Sequence, residues 1–136
     1  MLQAPTIVKF SFYFRHMNIE DLRSYCLSKP GVNESLPFGP DTLVFKVVDK
    51  MFAAIGLEWE ETGINLKYDP ERAEQLRDRY EDIIPGYHMS KKHWNTIYTE
   101  RGLDSELIVE LVDHSYDLIY AKLPKRTKDL IADESL

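Results

Sequence analysis

The sequence predicts an α+β domain in which helices pack against one antiparallel sheet. Three strand-like runs, residues 42–48, 51–59 and 63–69, follow one another with only short polar links between them. Links of this length favour hairpins, so neighbouring strands should run antiparallel. Segments with helical periodicity lie before and after these runs, and one more strand precedes the last helix. The predicted order is helix, three strands, helix, strand, helix.

The first helix is predicted to begin after Asn18, whose side chain can accept a hydrogen bond from the first turn. Two acids follow at Glu20 and Asp21, where the positive end of the helix dipole favours them. The helix should end before Pro30, and residues 35–41 should form a loop. Its inward face is predicted to consist of Ile19, Leu22 and Cys26.

The second and last helices have their own start signals. Asp69 followed by Pro70 and Glu71 is typical of a helix start, and Ser105 is expected to begin the last helix. Pro124 should end that helix. The inward residues are predicted to be Ala73, Leu76 and Tyr80 in the second helix, and Leu107, Ile108, Leu111, Val112, Ser115, Leu118 and Ile119 in the last.

The length of 136 residues suits one domain with its own core. We place that domain at residues 17–126 and a C-terminal tail at residues 127–136. Residues 1–16 are interpreted either as an extra edge strand, because Phe10, Phe12 and Phe14 alternate with polar residues, or as an extension ahead of an original start at Met17. The helix start just after Met17 favours the extension.

Composition and charge narrow the functional classes. The net charge of −6 argues against a protein that coats phosphates with its whole surface, so any nucleic-acid site must be a local basic patch. Cys26 is the only cysteine, which excludes an internal disulfide and fits a cytoplasmic protein. The apolar run near the amino terminus is short and contains Lys9, so neither a signal peptide nor a membrane span is expected.

The stretch PGYHMSKKHWNTIY, residues 85–98, is basic, aromatic and free of carboxylates. Read as one strand, it places Lys91, His93 and Asn95 on one face and Trp94 on the other. We expect Trp94 to point inward, because burying a large aromatic side chain is more favourable than burying an amide. The same alternation predicts that Phe45, Ile64, Leu66 and Tyr68 point inward and that Lys46, Asn65 and Lys67 point outward.

One face of the sheet would then be basic, although lysines on a sheet face also serve solubility and protect edges from pairing. A metal site is not expected, because His88 and His93 would face opposite ways on one strand. The DHSYD motif at residues 113–117 cannot align a catalytic triad on a helix, and Cys26 is better explained as a core residue. No cofactor motif is present.

Several blocks in this order resemble the MmcQ/YjbR family of small bacterial proteins: LPFGPDTLVFKV, KMFA, LKYDPERAEQLR, PGYHMSKKHWNTI and DHSYDLIYAKLPK. The resemblance runs from about Asn18 to Arg126. It implies a CyaY-like α+β fold and a DNA-binding role linked to a double-wing arrangement of hairpins, without catalytic residues or a cofactor. It also implies that a shared site lies at residues 91–95.

Three functional hypotheses follow. The first is a non-enzymatic cytosolic protein that binds DNA through Lys46, Lys67, Lys91, Lys92, His93 and Asn95. The second is a protein-interaction or chaperone-like module that uses an uncovered sheet face. The third is an enzyme or small-ligand binder with a cleft near Pro85 and Gly86, formed by Tyr87, His88, His93 and Trp94; it lacks a coherent nucleophile and base.

Overall fold

The computed structural model describes residues 16–87 and 89–135. Within them the chain forms four helices and six strands. The helices are α1 (Ile19–Leu27), α2 (Pro70–Arg79), α3 (Ser105–Tyr120) and α4 (Lys125–Ser135). The strands are β1 (Val32–Ser35), β2 (Thr42–Val47), β3 (Lys50–Gly56), β4 (Gly63–Lys67), β5 (Ile83–Pro85) and β6 (Trp94–Tyr98).

The six strands form a single antiparallel sheet in the order β1-β2-β3-β4-β6-β5. The predicted α+β class is confirmed, and the predicted elements occur in the predicted order. The structure adds two short edge strands, β1 and β5, on either side of the four predicted strands. The stretch at 85–98 contributes only Trp94–Tyr98 to β6, because residues 91–93 form a turn.

The helix starts show how local chemistry sets the boundaries. The Asn18 side chain accepts a hydrogen bond from the Asp21 N–H at 2.8 Å, and the Asp21 carboxylate accepts one from the Asn18 N–H at 3.1 Å. This reciprocal pair satisfies two otherwise free donors at the start of α1. Asp69 makes no such side-chain bond, so α2 begins with the conformational preference of Pro70 at its first position.

A bulge in β3 directs an extra large side chain toward the helices. Lys46 pairs with Met51 and Phe45 with Ala53, so Phe52 is the additional residue. Phe52 is fully buried and meets Tyr116 of α3 edge to face at 5.4 Å. Ser115 of α3 donates to the Phe52 carbonyl at 2.6 Å and accepts from the Lys67 N–H at 2.9 Å. The Ser115 hydroxyl therefore satisfies backbone groups at the irregularity.

The core lies between the sheet and the helices, on what we call the helix face. Phe45, Ile64 and Leu66 point into it as predicted, and Tyr68 packs against it by stacking on His114 at 3.8 Å. The predicted inward stripe of α3 is largely buried, as are Leu22 and Cys26 of α1. Burying these side chains supplies the main stabilisation of the fold, about 25 cal/mol for each Å² of apolar surface removed from water.

At the carboxyl end, the structure has a helix where a tail was expected. Residues 127–135, expected as part of a tail, all belong to α4, and Ile131 of this helix joins the core. Gly31 allows this approach: it has a φ of +75°, and a Cβ there would lie 3.1 Å from the Ile131 side chain. The expectation for residues 1–16 falls almost wholly outside the described residues; Met17 is buried and its N–H donates to the Thr99 carbonyl at 3.0 Å.

Candidate binding face of the sheet

The face of the sheet opposite the helices, the second face, carries the candidate site. Strand register places Val44, Ala54, Asn65 and Thr96 in one row across it. Two loops cover part of this row: residues 57–62 after β3, and the described residues 86–87 and 89–93 before β6. Asn65 and Thr96 are both buried, at 3% and 0% exposure, so this is a partly closed surface with a polar centre.

Trp59 is held on the second face by two glycines. A Cβ at Gly56 would lie 2.1 Å from Cε2 of the Trp59 indole, and one at Gly63 would lie 3.2 Å from its Cζ3. Both positions lie on the second face, where a side chain would occupy the space that the indole fills. The two glycines therefore leave space on the sheet for the indole, which we call the seat of Trp59, and the ring covers one end of the sheet.

Tyr87 is positioned by the buried polar pair beneath it. The Asn65 amide donates to the Tyr87 carbonyl at 3.1 Å, and the Tyr87 N–H donates to the Thr96 hydroxyl at 2.8 Å. The Thr96 hydroxyl in turn donates to the Asn65 carbonyl oxygen. Two of these three bonds hold the backbone of Tyr87 and the third joins the two side chains that make them, so the loop before β6 is anchored to the centre of the sheet.

Two adjoining hollows lie between these loops, and together we call them the trough. They share Trp59 and Tyr87, whose rings meet edge to face at 5.6 Å. The first, of about 350 Å³, is lined by Phe38, Thr42, Ala54, Trp59, Asn65, Tyr87 and Met89. The second, of about 390 Å³, is lined by Glu58, Trp59, Glu60, Glu61, Tyr87 and Tyr98. The trough is thus mainly apolar at one end and acidic at the other.

The predicted basic residues lie at the opposite end of the sheet from the acidic loop. β2 and β4 end where β3 and β6 begin, so Lys46, Lys67 and the turn at residues 91–93 come to the same end. We call Lys46, Lys67, Lys91, Lys92 and His93 the lysine end. Among the ion pairs found in the described part of the chain, none includes these lysines.

The register corrects two predicted orientations. Asn95 pairs with Leu66 and Trp94 with Lys67, so Asn95 lies on the helix face and Trp94 on the second face. The outward position expected for Asn95 is therefore wrong. Asn95 is 2% exposed, donates to the Ala73 carbonyl at 3.1 Å and accepts from Arg77 at 2.8 Å. The contacts with α2 supply the hydrogen-bond partners that a buried amide requires.

Trp94 is buried, as expected for its size, but under the loop before β6 and not in the core between sheet and helices. A Cβ at Gly86 would lie 2.8 Å from the Trp94 Cβ, so Gly86 permits the loop to pass directly over it. Lys91 donates from Nζ to the Gly86 carbonyl at 3.0 Å, and the Arg77 guanidinium reaches the Lys91 carbonyl at 3.3 Å. The turn is fixed by both contacts.

The side chains predicted to form a cleft near Pro85 and Gly86 do not all lie together. Tyr87 lines both hollows of the trough, whereas Trp94 lies beneath Gly86 and His93 lies in the turn at the lysine end. His88 falls outside the described residues. Sequence reasoning assigned no role to Phe38 or Trp59; glycines at 56 and 63 on either side of Trp59 are the signal that points to a ring packed on the sheet.

Two further side chains with catalytic potential, Cys26 and His114, take part in packing. Burial strongly raises the pKa of the Cys26 thiol, which makes it a poor nucleophile. His114 stacks on Tyr68, and burial of its ring lowers its pKa. In residues 16–87 and 89–135, no three metal-ligating side chains converge. No helix in that same part is both long and apolar enough to cross a bilayer.

Comparison with known proteins identifies the family. The family model described as YjbR matches residues 27–118, which is most of the chain and includes both ends of the second face. The chain belongs to the YjbR family. It is 35% identical over 115 residues to the uncharacterized protein YjbR of Escherichia coli K12, covering 85% of this chain and 98% of the relative. It is 37% identical over 110 residues to the uncharacterized protein YbdF of Escherichia coli O157:H7, covering 79% and 88%.

A solved structure extends the likeness to three dimensions. The crystal structure of Deinococcus radiodurans protein DR2400, with the family-model domain DUF419, superposes with a TM-score of 0.79 at 37% identity. The match covers 88% of this chain and 91% of that one. The fold of this YjbR-family chain is therefore shared by a relative of known structure.

Proposed function

We propose that this YjbR-family chain is a non-enzymatic cytosolic protein that binds DNA through the lysine end of its second face. The observation that carries the proposal is the gathering of Lys46, Lys67, Lys91 and Lys92 at one end of the sheet, with no carboxylate partner among the ion pairs of the described residues. Ammonium groups that form no ion pair within the protein are available to phosphates, and Lys91, which donates to the Gly86 carbonyl, keeps two further N–H donors for this contact.

The distance between the lysines and the screening of their charges by salt limit the affinity of the lysine end for phosphates. Lys46 and Lys67 are two strands apart, so their backbones are separated by about 10 Å. This distance is close to the Debye length of about 8 Å at physiological ionic strength. The two charges therefore act together on a phosphate chain at low salt and are screened from each other at high salt. The acidic loop at residues 57–62 lies at the far end of the sheet, which keeps its negative charge away from a bound phosphate chain.

The contacts expected with DNA are mainly to its backbone. Lys46, Lys67, Lys91 and Lys92 would pair with phosphates, and His93 would reach sugar or base edges. Asn95 takes no part, because its amide is committed to Ala73 and Arg77. Most of the affinity would therefore be independent of sequence.

The non-enzymatic part of the proposal rests on the state of the described nucleophiles. Cys26 is buried, and its pKa is strongly raised by burial. The Ser115 hydroxyl is committed to the Phe52 carbonyl and the Lys67 N–H. His114 lies one residue from Ser115 on the same helix, which separates their directions by about 100°. These three groups provide structure, and among them no base is placed to activate a nucleophile.

The direct test is the affinity of the full chain for a duplex DNA at several salt concentrations. With four phosphate contacts, the logarithm of the binding constant should fall against the logarithm of salt concentration with a slope of about −3 to −4. Lys46→Gln, Lys67→Gln and Lys92→Gln should each reduce the steepness by about 1.

Lys122→Gln provides the matched control, because Lys122 is an exposed lysine at the end of α3 on the helix side. It should leave the slope unchanged although it alters the net charge equally. The proposal fails if duplex DNA does not bind even at low salt, or if Lys122→Gln weakens binding as much as Lys67→Gln.

A second candidate function is protein binding, favoured by apolar side chains exposed on the loops beside the second face. Phe38 is 68% exposed, Leu36 48% and Tyr87 50%. Exposed aromatic side chains are enriched at protein interfaces. A pull-down from nuclease-treated extract should recover one protein stoichiometrically with the wild-type chain but not with Phe38→Ser. Failure of the wild-type chain to recover any protein would remove this candidate, and equal recovery by both chains would place the contact away from Phe38.

A further inference from the structure

The trough has aromatic walls that are anchored by contacts within the fold. Trp59 is seated on Gly56 and Gly63, and Tyr87 is held through its own backbone by Asn65 and Thr96. The fold therefore sets the place of the Trp59 indole and of the Tyr87 backbone without a ligand. A site whose walls are already in place loses little conformational entropy when a ligand binds.

Negative charge is concentrated at one end of the trough. Glu58 and Glu60 flank Trp59 in the sequence, are exposed, and line the second hollow. No ion pair among the described residues includes either of them. Glu61 differs, because its carboxylate accepts two hydrogen bonds from Arg101, at 2.7 and 2.6 Å. Of the three glutamates that line the second hollow, Glu58 and Glu60 are therefore the two that form no ion pair.

Aromatic faces and free carboxylates favour the same kind of ligand. The face of an indole or phenol ring carries negative electrostatic potential, which attracts a cation placed above it. The protein already uses this contact nearby, since the Arg101 guanidinium lies 4.1 Å from the centre of the Tyr98 ring. Trp59 and Tyr87 offer the same chemistry at the second hollow, next to Glu58 and Glu60.

We infer that the trough binds an organic cation, with its ammonium or guanidinium group between Trp59, Tyr87 and the Glu58 and Glu60 carboxylates. Its apolar body would occupy the first hollow against Phe38 and Met89. The site is distinct from the lysine end and does not rest on DNA binding. Its glutamates repel phosphate, so an anionic ligand is disfavoured. The cation is either a free amine or a lysine or arginine side chain of a peptide.

The test compares three small probes of similar size and different charge: 2-phenylethylammonium, 2-phenylethanol and phenylacetate. Binding to the full chain is followed by NMR through the indole N–H signals, where Trp59 reports on the trough and buried Trp94 serves as the internal reference. We expect the ammonium to bind about five-fold more tightly than the alcohol, and phenylacetate to bind most weakly. The Trp59 signal should move more than that of Trp94.

A double variant separates charge from apolar contact. Glu58→Gln with Glu60→Gln should reduce the preference for 2-phenylethylammonium over 2-phenylethanol to the part that the aromatic rings supply, while the alcohol binds as before. Glu71→Gln with Glu74→Gln, which removes two exposed acids from α2, should leave the preference for the ammonium intact. Because all four positions are exposed, these variants should fold, and circular dichroism will check that they do.

A further arm identifies the source of the cation. An acetylated, amidated Phe-Lys dipeptide is compared with its Phe-Gln counterpart and with 2-phenylethylammonium. Tighter binding of Phe-Lys than of the small amine supports a peptide ligand, and the reverse order supports a free amine. The inference is overturned if no probe binds, if alcohol and ammonium bind equally, or if the Glu58 and Glu60 double variant keeps the full preference.

Discussion

The two faces of the sheet bury side chains in different ways. The helix face is closed by α1 to α4 over an apolar core that includes Phe45, Phe52 and Ile64, all fully buried. The second face is covered by loops, has the Asn65 and Thr96 pair at its centre, and keeps hollows of several hundred Å³. The helix face therefore accounts for stability, and the second face provides surfaces that a ligand can reach.

The comparison also shows how a buried asparagine depends on its neighbours. Asn95 on the helix face is bound to α2 through Ala73 and Arg77 and joins a helix to the sheet. Asn65 on the second face is bound to Tyr87 and Thr96 and positions a loop. Both amides are satisfied, yet one stabilises the packing of a helix and the other shapes the trough.

The largest difference between the faces is expected for two phenylalanines. Phe52→Ala should lower the free energy of unfolding by about 3–5 kcal/mol, because it leaves a cavity in a closed core. Phe38→Ala should change it by no more than about 0.5 kcal/mol, because that side chain is 68% exposed. Urea denaturation of both variants measures the contrast. Equal losses would contradict the division between the faces.

The seat of Trp59 can be tested with Gly56→Ala. The new Cβ would lie 2.1 Å from Cε2 of the indole, so the ring must leave its place, at a cost of about 1–3 kcal/mol in unfolding free energy. Trp59 fluorescence should shift to longer wavelength as the ring becomes exposed. In a Trp59→Ala background the same substitution should cost almost nothing, since the clash is gone. An equal cost in both backgrounds would show that the indole does not occupy the space beside Gly56.

Asn95→Ala tests whether this residue contacts DNA or only α2. Loss of its bonds to Ala73 and Arg77 should lower the free energy of unfolding by about 1–3 kcal/mol. The affinity of the folded variant for duplex DNA should be unchanged. Thermal denaturation and a DNA titration below the melting temperature give the two readouts. Normal stability with weakened DNA binding would restore the outward orientation expected from the sequence.

The smallest effect is a dependence of stability on pH through His114. Burial lowers the pKa of its imidazole in the folded state, and the carboxylate of Asp117 opposes that shift. The folded state therefore favours the neutral ring, so this contribution is present above the unfolded pKa of about 6.5 and is lost as pH falls through the lower folded pKa. Urea midpoints at pH 8 and pH 5 should differ less in His114→Gln than in the wild type. An identical difference in both would show that His114 does not contribute.

Much of the fold follows from local patterns. The apolar periodicity of α3, the cap at Asn18 and the proline at the start of α2 all act within a few residues, so the sequence alone predicts them. The bulge at Phe52 and the contact of Ile131 with Gly31 depend on distant partners. α4 has only a few apolar residues, and its packing becomes visible only when α1 and β1 are in place.

The candidate site was less predictable for a similar reason. A carboxylate-free stretch identified residues 91–93, but a one-residue difference in register reversed the expected positions of Trp94 and Asn95. The rule that an amide belongs outside failed, because Arg77 and Ala73 supply its partners from another element. The trough combines Phe38, Trp59 and Tyr87 from three separate loops, and no local pattern connects them.

Mapping of backbone amide chemical shifts during a titration with duplex DNA at low salt is the most direct test of the division between the faces. We predict that the largest shifts occur at Lys46, Lys67 and residues 91–93, and that α1 to α4 change little. Shifts concentrated on the helices, or spread evenly over both sides of the sheet, would contradict the account.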